Sequence, residues 1–158
     1  MGAVLFYHLT RRPLEHTLRQ LVERALASRM RVAVRGPDEE RLRALDDLLW
    51  TAPEDGFLPH AMAGSGRDAR QPVLLTTSWA GNGATCLMSV HGAEIAPEEA
   101  ASMTRACVLF DGRDEAALAH ARGQWKRLTA AGAQAQYWSE EGGSWQKKAE
   151  AGGPAGAG

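Results

Sequence analysis

A chain of 158 residues, 44% hydrophobic and 23% charged, is long enough for one domain with its own core and has the composition of an ordinary globular protein. Eighteen Lys and Arg against nineteen Asp and Glu leave a net charge of −1, which excludes the strongly basic balance of a dedicated nucleic-acid binder, so contact with DNA is expected to be indirect. The sequence has no apolar run long enough for a membrane-spanning helix and no basic segment followed by an apolar one at its N-terminus, so neither a membrane location nor a signal peptide is expected. Cys86 and Cys107 fall inside apolar runs without CxxC spacing; buried free thiols and a cytoplasmic location are expected.

Residues 3–9, AVLFYHL, are rich in aromatic and β-branched types and predict a first strand. Pro13 suits a helix start, and Leu14, Leu18, Leu21, Val22, Ala25 and Leu26 recur at helical spacing to about Arg29. A short strand at 31–35 ends at Gly36-Pro37. Asp38, Glu39 and Glu40 then open a second helix, which finishes at Trp50. Pro53, Gly56 and Pro59 forbid its continuation and predict a loop over 51–71. Residues 73–78 and 84–90 read as strands, and Gly81-Asn82-Gly83 between them predicts a hairpin and hence one antiparallel sheet edge. A short helix is expected after Pro97, a buried strand at 106–110, a helix over about 114–131 capped by Gly132, and a last edge strand over 133–138. The Gly/Ala-rich remainder, 139–158, reads as a flexible tail after a single domain at 1–138. Strands alternating with helices predict an α/β fold: three layers, α/β/α, around a mostly parallel sheet with Rossmann-like, nucleotide-binding-type topology.

Such a sheet raises the question of a nucleotide, and a nucleotide-binding module is one reading of the fold. The turn after the first strand, Thr10-Arg11-Arg12-Pro13, has no glycine that would let pyrophosphate approach, and there is no GxxxxGK[ST]. Gly64-Ser65-Gly66 is a lone GxG in a loop, and Ala63 breaks a G-x-S-x-G reading around Ser65. The five histidines (His8, His16, His60, His91, His120) never fall at HxH or HxxxH spacing. Asp46 and Asp47 point in different directions on a helix, and His60 reads as a loop anchor. No catalytic residue, cofactor or metal site is expected.

Binding chemistry remains. On the helix at 114–131, Arg122, Trp125 and Lys126 lie three and four residues apart and share a face, flanked by Arg127 and His120. Residues 113–127 hold four Lys or Arg and two acids, a local +2 in a chain of −1. Two cations one turn apart can hold a carboxylate, and an indole beside them offers an apolar wall. That combination suits an acidic peptide with a hydrophobic end; the other reading is a solvated basic face with Trp125 packed on the sheet. Trp50 and Phe57, in and beside the Pro/Gly-rich loop, either fold back under it or meet another protein.

Phe6-Tyr7-His8-Leu9, then the helix end Leu45-Asp46-Asp47-Leu48-Leu49-Trp50, then Phe57-Leu58-Pro59-His60 and Gly64-Ser65-Gly66, in this order and spacing, resemble the chi subunit of bacterial DNA polymerase III holoenzyme, over about residues 4–138. The resemblance implies a non-catalytic accessory subunit of the replicative polymerase that links the clamp loader to the acidic C-terminal tail of single-stranded DNA-binding protein (SSB). It implies that Arg122, Trp125 and Lys126, with Arg127 beside them, dock that tail; Leu118 stands where family members can carry a further cation. Trp50 and Phe57 match the surface that meets psi, the clamp-loader partner, and related surfaces can engage a helicase. A helicase-associated adaptor in DNA repair is therefore the alternative.

Overall fold

The computed structural model describes residues 3–50, 59–64, 66–78, 82–141 and 144–151, with the backbone alone of Trp50 and Glu141. The elements run β1 (Ala3–Leu9), α1 (Leu14–Ala27), β2 (Val32–Arg35), α2 (Glu39–Trp50), β3 (Ala61–Met62), a 3-10 turn (Asp68–Arg70), β4 (Val73–Thr76), β5 (Cys86–Ser89), α3 (Pro97–Ser102), β6 (Arg105–Asp111), α4 (Glu115–Ala130), β7 (Ala135–Glu141) and β8 (Ser144–Ala151). The strands form one eight-stranded sheet in the order β3-β4-β2-β5-β6-β1-β7-β8. Every pairing is parallel except β7 with β8.

The helices lie on both faces, as the alternation predicts. Leu18, Leu21 and Val22 of α1 and Leu42, Leu45 and Leu49 of α2 join one buried cluster with Val32, Val34, Leu75 and Met88. Ala121 and Leu128 of α4 and Ala100 of α3 join the other with Val4, Phe6, Leu87 and Val108. Short runs such as VAVR and VLLT are buried along their whole length because a central parallel strand is covered on both sides. From β1 the chain turns through α1 toward β2; from β6 it turns through α4 toward β7, the opposite way. The β6–β1 boundary is therefore the topological switch point of the sheet.

Two expectations are corrected. Residues 73–78 and 84–90 do not form a hairpin: β4 and β5 lie on opposite sides of β2, both parallel to it. Gly81-Asn82-Gly83 has the composition of a hairpin turn, but Asn82 is buried and its Nδ2 donates to the carbonyls of Val32, at 3.1 Å, and Gln71, at 2.9 Å. The asparagine ties this segment to the N-terminal end of β2 and does not close a hairpin between β4 and β5. The antiparallel edge is made elsewhere, at 135–151. There the chain does not leave the sheet after Trp138: β7 continues to Glu141 between β1 and β8, and β8 returns beside it. Composition concealed this strand. Only Trp145 is large and apolar, and it stacks edge-on against Tyr7, with ring centroids 5.3 Å apart. Residues 152–158 of the expected tail lie outside the described residues.

Glu140 marks the change most clearly. It is buried, and its Oε1 accepts the backbone N–H groups of Thr10 at 3.2 Å, Arg11 at 2.8 Å and Arg12 at 3.2 Å. Its Oε2 lies 3.0 Å from Arg12 Nε. Burial opposes ionisation, but the three N–H bonds and Arg12 outweigh it and hold the carboxyl below its ordinary value. Glu140→Gln is expected to cost about 2 kcal/mol at neutral pH, because charge-assisted bonds become neutral ones. A depressed carboxyl contributes stability above its unfolded value of about 4.3 and loses it as the pH falls through the folded value. Urea unfolding of both proteins, stepped from neutral pH to roughly pH 3, should show the gap closing; a gap unchanged across that range would contradict this role.

Candidate functional site

The crevice at the switch point is where an α/β sheet of this kind usually holds a ligand. It encloses about 630 Å³ beside Leu9, Arg12, Pro13, Asp111, Arg113 and His120. The donors that a phosphate would use there are occupied by the chain's own carboxylates. Glu140 takes the N–H groups of the turn after β1. Asp114, at the N-cap of α4, accepts from Ala116 N at 2.9 Å and Ala117 N at 3.4 Å. Among the described residues no three His, Cys, Asp or Glu side chains are placed to hold a metal ion. Cys86 and Cys107 are buried free thiols on the adjacent strands β5 and β6.

α4 has two differently occupied flanks. One is bound to the segment after β5. His120 Nε2 lies 2.7 Å from the Gly92 carbonyl oxygen, and Arg127 pairs with Glu94 at 2.9 Å. The buried Gln124 accepts from Ile95 N at 3.1 Å and donates to Ala93 O at 3.4 Å. That segment is itself fixed by a buried ion pair: Arg35 Nη1 donates to Glu99 at 2.7 Å and to the Glu94 carbonyl at 3.2 Å. The bond from Arg35, with that from Ala96 N, holds Glu99 below the ordinary carboxylate value.

The other flank carries Arg122, Trp125 and Lys126. Trp125 is half-buried, and its ring meets Phe6 edge-on at 5.3 Å and Tyr137 at 6.1 Å. Behind Tyr137 the hydroxyl lies 2.8 Å from His8 Nδ1, and His8 and Phe110 pack with centroids 5.3 Å apart. Gly112 makes room for His8: a Cβ there would sit 1.7 Å from the imidazole ring. Burial pushes His8 below the ordinary imidazole value and Tyr137 above the ordinary phenol value. The charge of Arg122 bears on both, lowering each. Arg122 and Lys126 are exposed. Arg122, Trp125 and Lys126 thus share one flank of α4, with Trp125 against Tyr137 and Tyr137 against His8, while Arg127 pairs with Glu94 on the opposite flank. Tyr137 and His8 escaped the sequence reading because nothing local marks them; only the β1–β7 pairing makes them neighbours, with Phe6 beside Tyr137 and His8 beside Ser139.

Phe57 and the side chain of Trp50 lie outside the described residues. The described residues on either side of them in sequence are anchored. Arg19, buried on α1, donates from Nη1 to the Leu49 carbonyl at 3.1 Å, which fixes the end of α2. The buried His60 places Nε2 3.1 Å from Asp46 Oδ1, a close polar contact whose alignment is not that of a hydrogen bond; it holds the chain after the loop against α2.

The fold and the site define a doubly wound α/β domain whose phosphate positions are filled by its own carboxylates and whose outer helix carries exposed cations beside a packed indole. The family model of the DNA polymerase III chi subunit, HolC, matches residues 1–136, and the chain belongs to that family. It is accordingly a non-catalytic accessory subunit of DNA polymerase III, with a role in DNA replication. No curated protein matches the chain. Among the described residues no helix is long and apolar enough to cross a membrane.

The packing separates the roles of the face. Trp125→Ala is expected to destabilise the fold by about 2–4 kcal/mol, since it removes a half-buried aromatic from Phe6 and Tyr137. Arg122→Ala and Lys126→Ala should lie within about 0.5 kcal/mol of wild type, as exposed side chains do. Chemical denaturation of the three variants checks this; a Trp125→Ala protein as stable as wild type would mean that the indole is not part of the packing.

Proposed function

We propose that this chi subunit links the clamp loader to the acidic C-terminal tail of SSB, with Arg122, Trp125 and Lys126 forming the tail's docking face. The observation that supports this is the flank of α4 on which two exposed cations stand around an indole already fixed by Phe6 and Tyr137. The guanidinium and the ammonium hold carboxylates, and the open part of the indole with the Tyr137 ring receives an apolar terminal side chain. Because the indole is locked in place, little side-chain entropy is lost on binding. Each contact is weak and screened by salt, and many tails along one coated strand multiply its effective strength. Arg127 acts at the periphery, through Glu94. The clamp-loader contact is made through Trp50 and Phe57 to psi, and the protein works in the cytoplasm.

Titration of the protein with a labelled peptide of the SSB tail, in low and moderate salt, tests the docking face. Binding is expected to weaken with salt, and Arg122→Ala and Lys126→Ala should each weaken it by roughly fivefold or more. A wild-type protein that does not bind the peptide would remove the tether. For the second surface, Phe57→Ala is expected to lose clamp-loader subunits in co-purification while peptide binding stays intact. Retention of those subunits with loss of a helicase would replace psi by a repair helicase as the partner.

A further inference from the structure

The family match ends at residue 136, so β8 lies beyond it. The strand is nevertheless built into the sheet beside the proposed docking face. Its pairing with β7 runs Glu140↔Trp145, Ser139↔Gln146 and Trp138↔Lys147, then shifts to Tyr137↔Ala149 and Gln136↔Glu150. Lys148 is the extra residue of a β-bulge opposite Tyr137. Paired residues share a face of the sheet, so Trp145, Lys147 and Glu150 lie on the α1 side, where Trp145 meets Tyr7 and Lys147 Nζ lies 3.3 Å from Glu150. Alternation from Gln146 places Lys148 on the α4 side, and pairing with Tyr137 places Ala149 there as well. Two successive residues on one side is the re-aiming that a bulge produces.

α4 packs over β6 and β7, and on the α4 side of β8 Gln146, Lys148 and Ala149 are exposed. The one carboxylate of β8, Glu150, is on the far side, held by Lys147 and Gln136. β8 is the strand next to β7 in the sheet, so Lys148 of β8 stands on the same side of the sheet as Arg122 and Lys126 of α4, next to the strand that carries Tyr137.

We propose that β8 is the second wall of the docking face, and that an acidic peptide lies between α4 and β8 with Lys148 taking a carboxylate opposite Arg122. This rests on the acidic-tail reading above and adds a contact from residues outside the family match. Charge complementarity selects the occupant: three exposed cations, two from α4 and one from β8, stand on one side of the sheet.

The bulge supplies an internal control, because neighbouring lysines point to opposite faces. With the labelled SSB tail peptide at low salt, Lys148→Ala is expected to weaken binding about threefold and Lys148→Glu about tenfold, each with a shallower salt dependence. Lys147→Glu should bind within about twofold of wild type. Circular dichroism and the melting temperature of each variant establish that the fold is kept. If the Lys148 variants bind as wild type does, or no more weakly than Lys147→Glu, while Arg122→Ala still weakens binding, β8 is not a wall and the α4 face acts alone. If wild type does not bind the peptide at all, the docking reading and this extension of it fall together.

Discussion

A buried carboxylate that accepts three successive backbone N–H groups is the constraint on which the C-terminal half of the sheet depends. Glu140 sits at the end of β7 and closes the turn at Thr10, Arg11 and Arg12 after β1. Such a turn is a ready anion site, and in nucleotide-binding relatives of the architecture a phosphate occupies it. Here the anion is covalently part of the chain. Filling the site internally closes the switch point to a phosphate and pins β7 to β1. With β7 fixed as far as Glu141, the chain can reverse and lay β8 on its outer edge, where Trp145 covers Tyr7. One interaction thus removes the usual ligand position of the fold and completes the sheet beside the helix that offers a different surface.

α4 owes its fixed orientation to unlike contacts on its two flanks. His120, Gln124 and Arg127 grip the Gly92–Ile95 segment, which the Arg35–Glu99 pair secures from below. The opposite flank rests on rings: Trp125 on Phe6 and Tyr137, Tyr137 on Phe110 and His8. Polar bonds set how the helix is rotated, and aromatic packing sets how close it lies. Arg122 and Lys126 are then displayed from a rigid support, which is what recognition by charge requires if ordering cost is to be small.

Much of this was legible in the sequence. Period-3.6 leucines in α1 and α2 and the apolar runs of β1, β2 and β6 define the layers, and the offsets of 122, 125 and 126 define the face. The failures share a cause: short-range composition carries no information about which strands become neighbours. Gly81-Asn82-Gly83 has turn chemistry, but Asn82 is used as a buried donor to Val32 and Gln71. Ser144–Ala151 has almost no apolar content, because an edge strand with one face open needs only Trp145 to anchor it. Tyr137 and His8 acquire a role only through the pairing of β7 with β1. For Trp125, spacing left a peptide-docking face and a solvated basic face with the indole packed on the sheet as alternatives; the structure packs the indole against Phe6 and Tyr137 and leaves the residue half-buried.

That divided burial bears on how the proposed face would work. A fully exposed indole would be ordered by its ligand at an entropic cost, and a fully buried one would offer nothing. Trp125 is ordered beforehand by the fold and keeps only part of its ring for a partner, which limits the apolar area that one peptide can bury. The remaining attraction comes from cations at the surface, where each pair contributes little and salt reduces it further. Both factors favour a contact that forms readily and releases readily. On the proposed function, where many copies of the same tail are met, repeated weak contacts of this kind would hold the assembly near the strand without fixing it at one point.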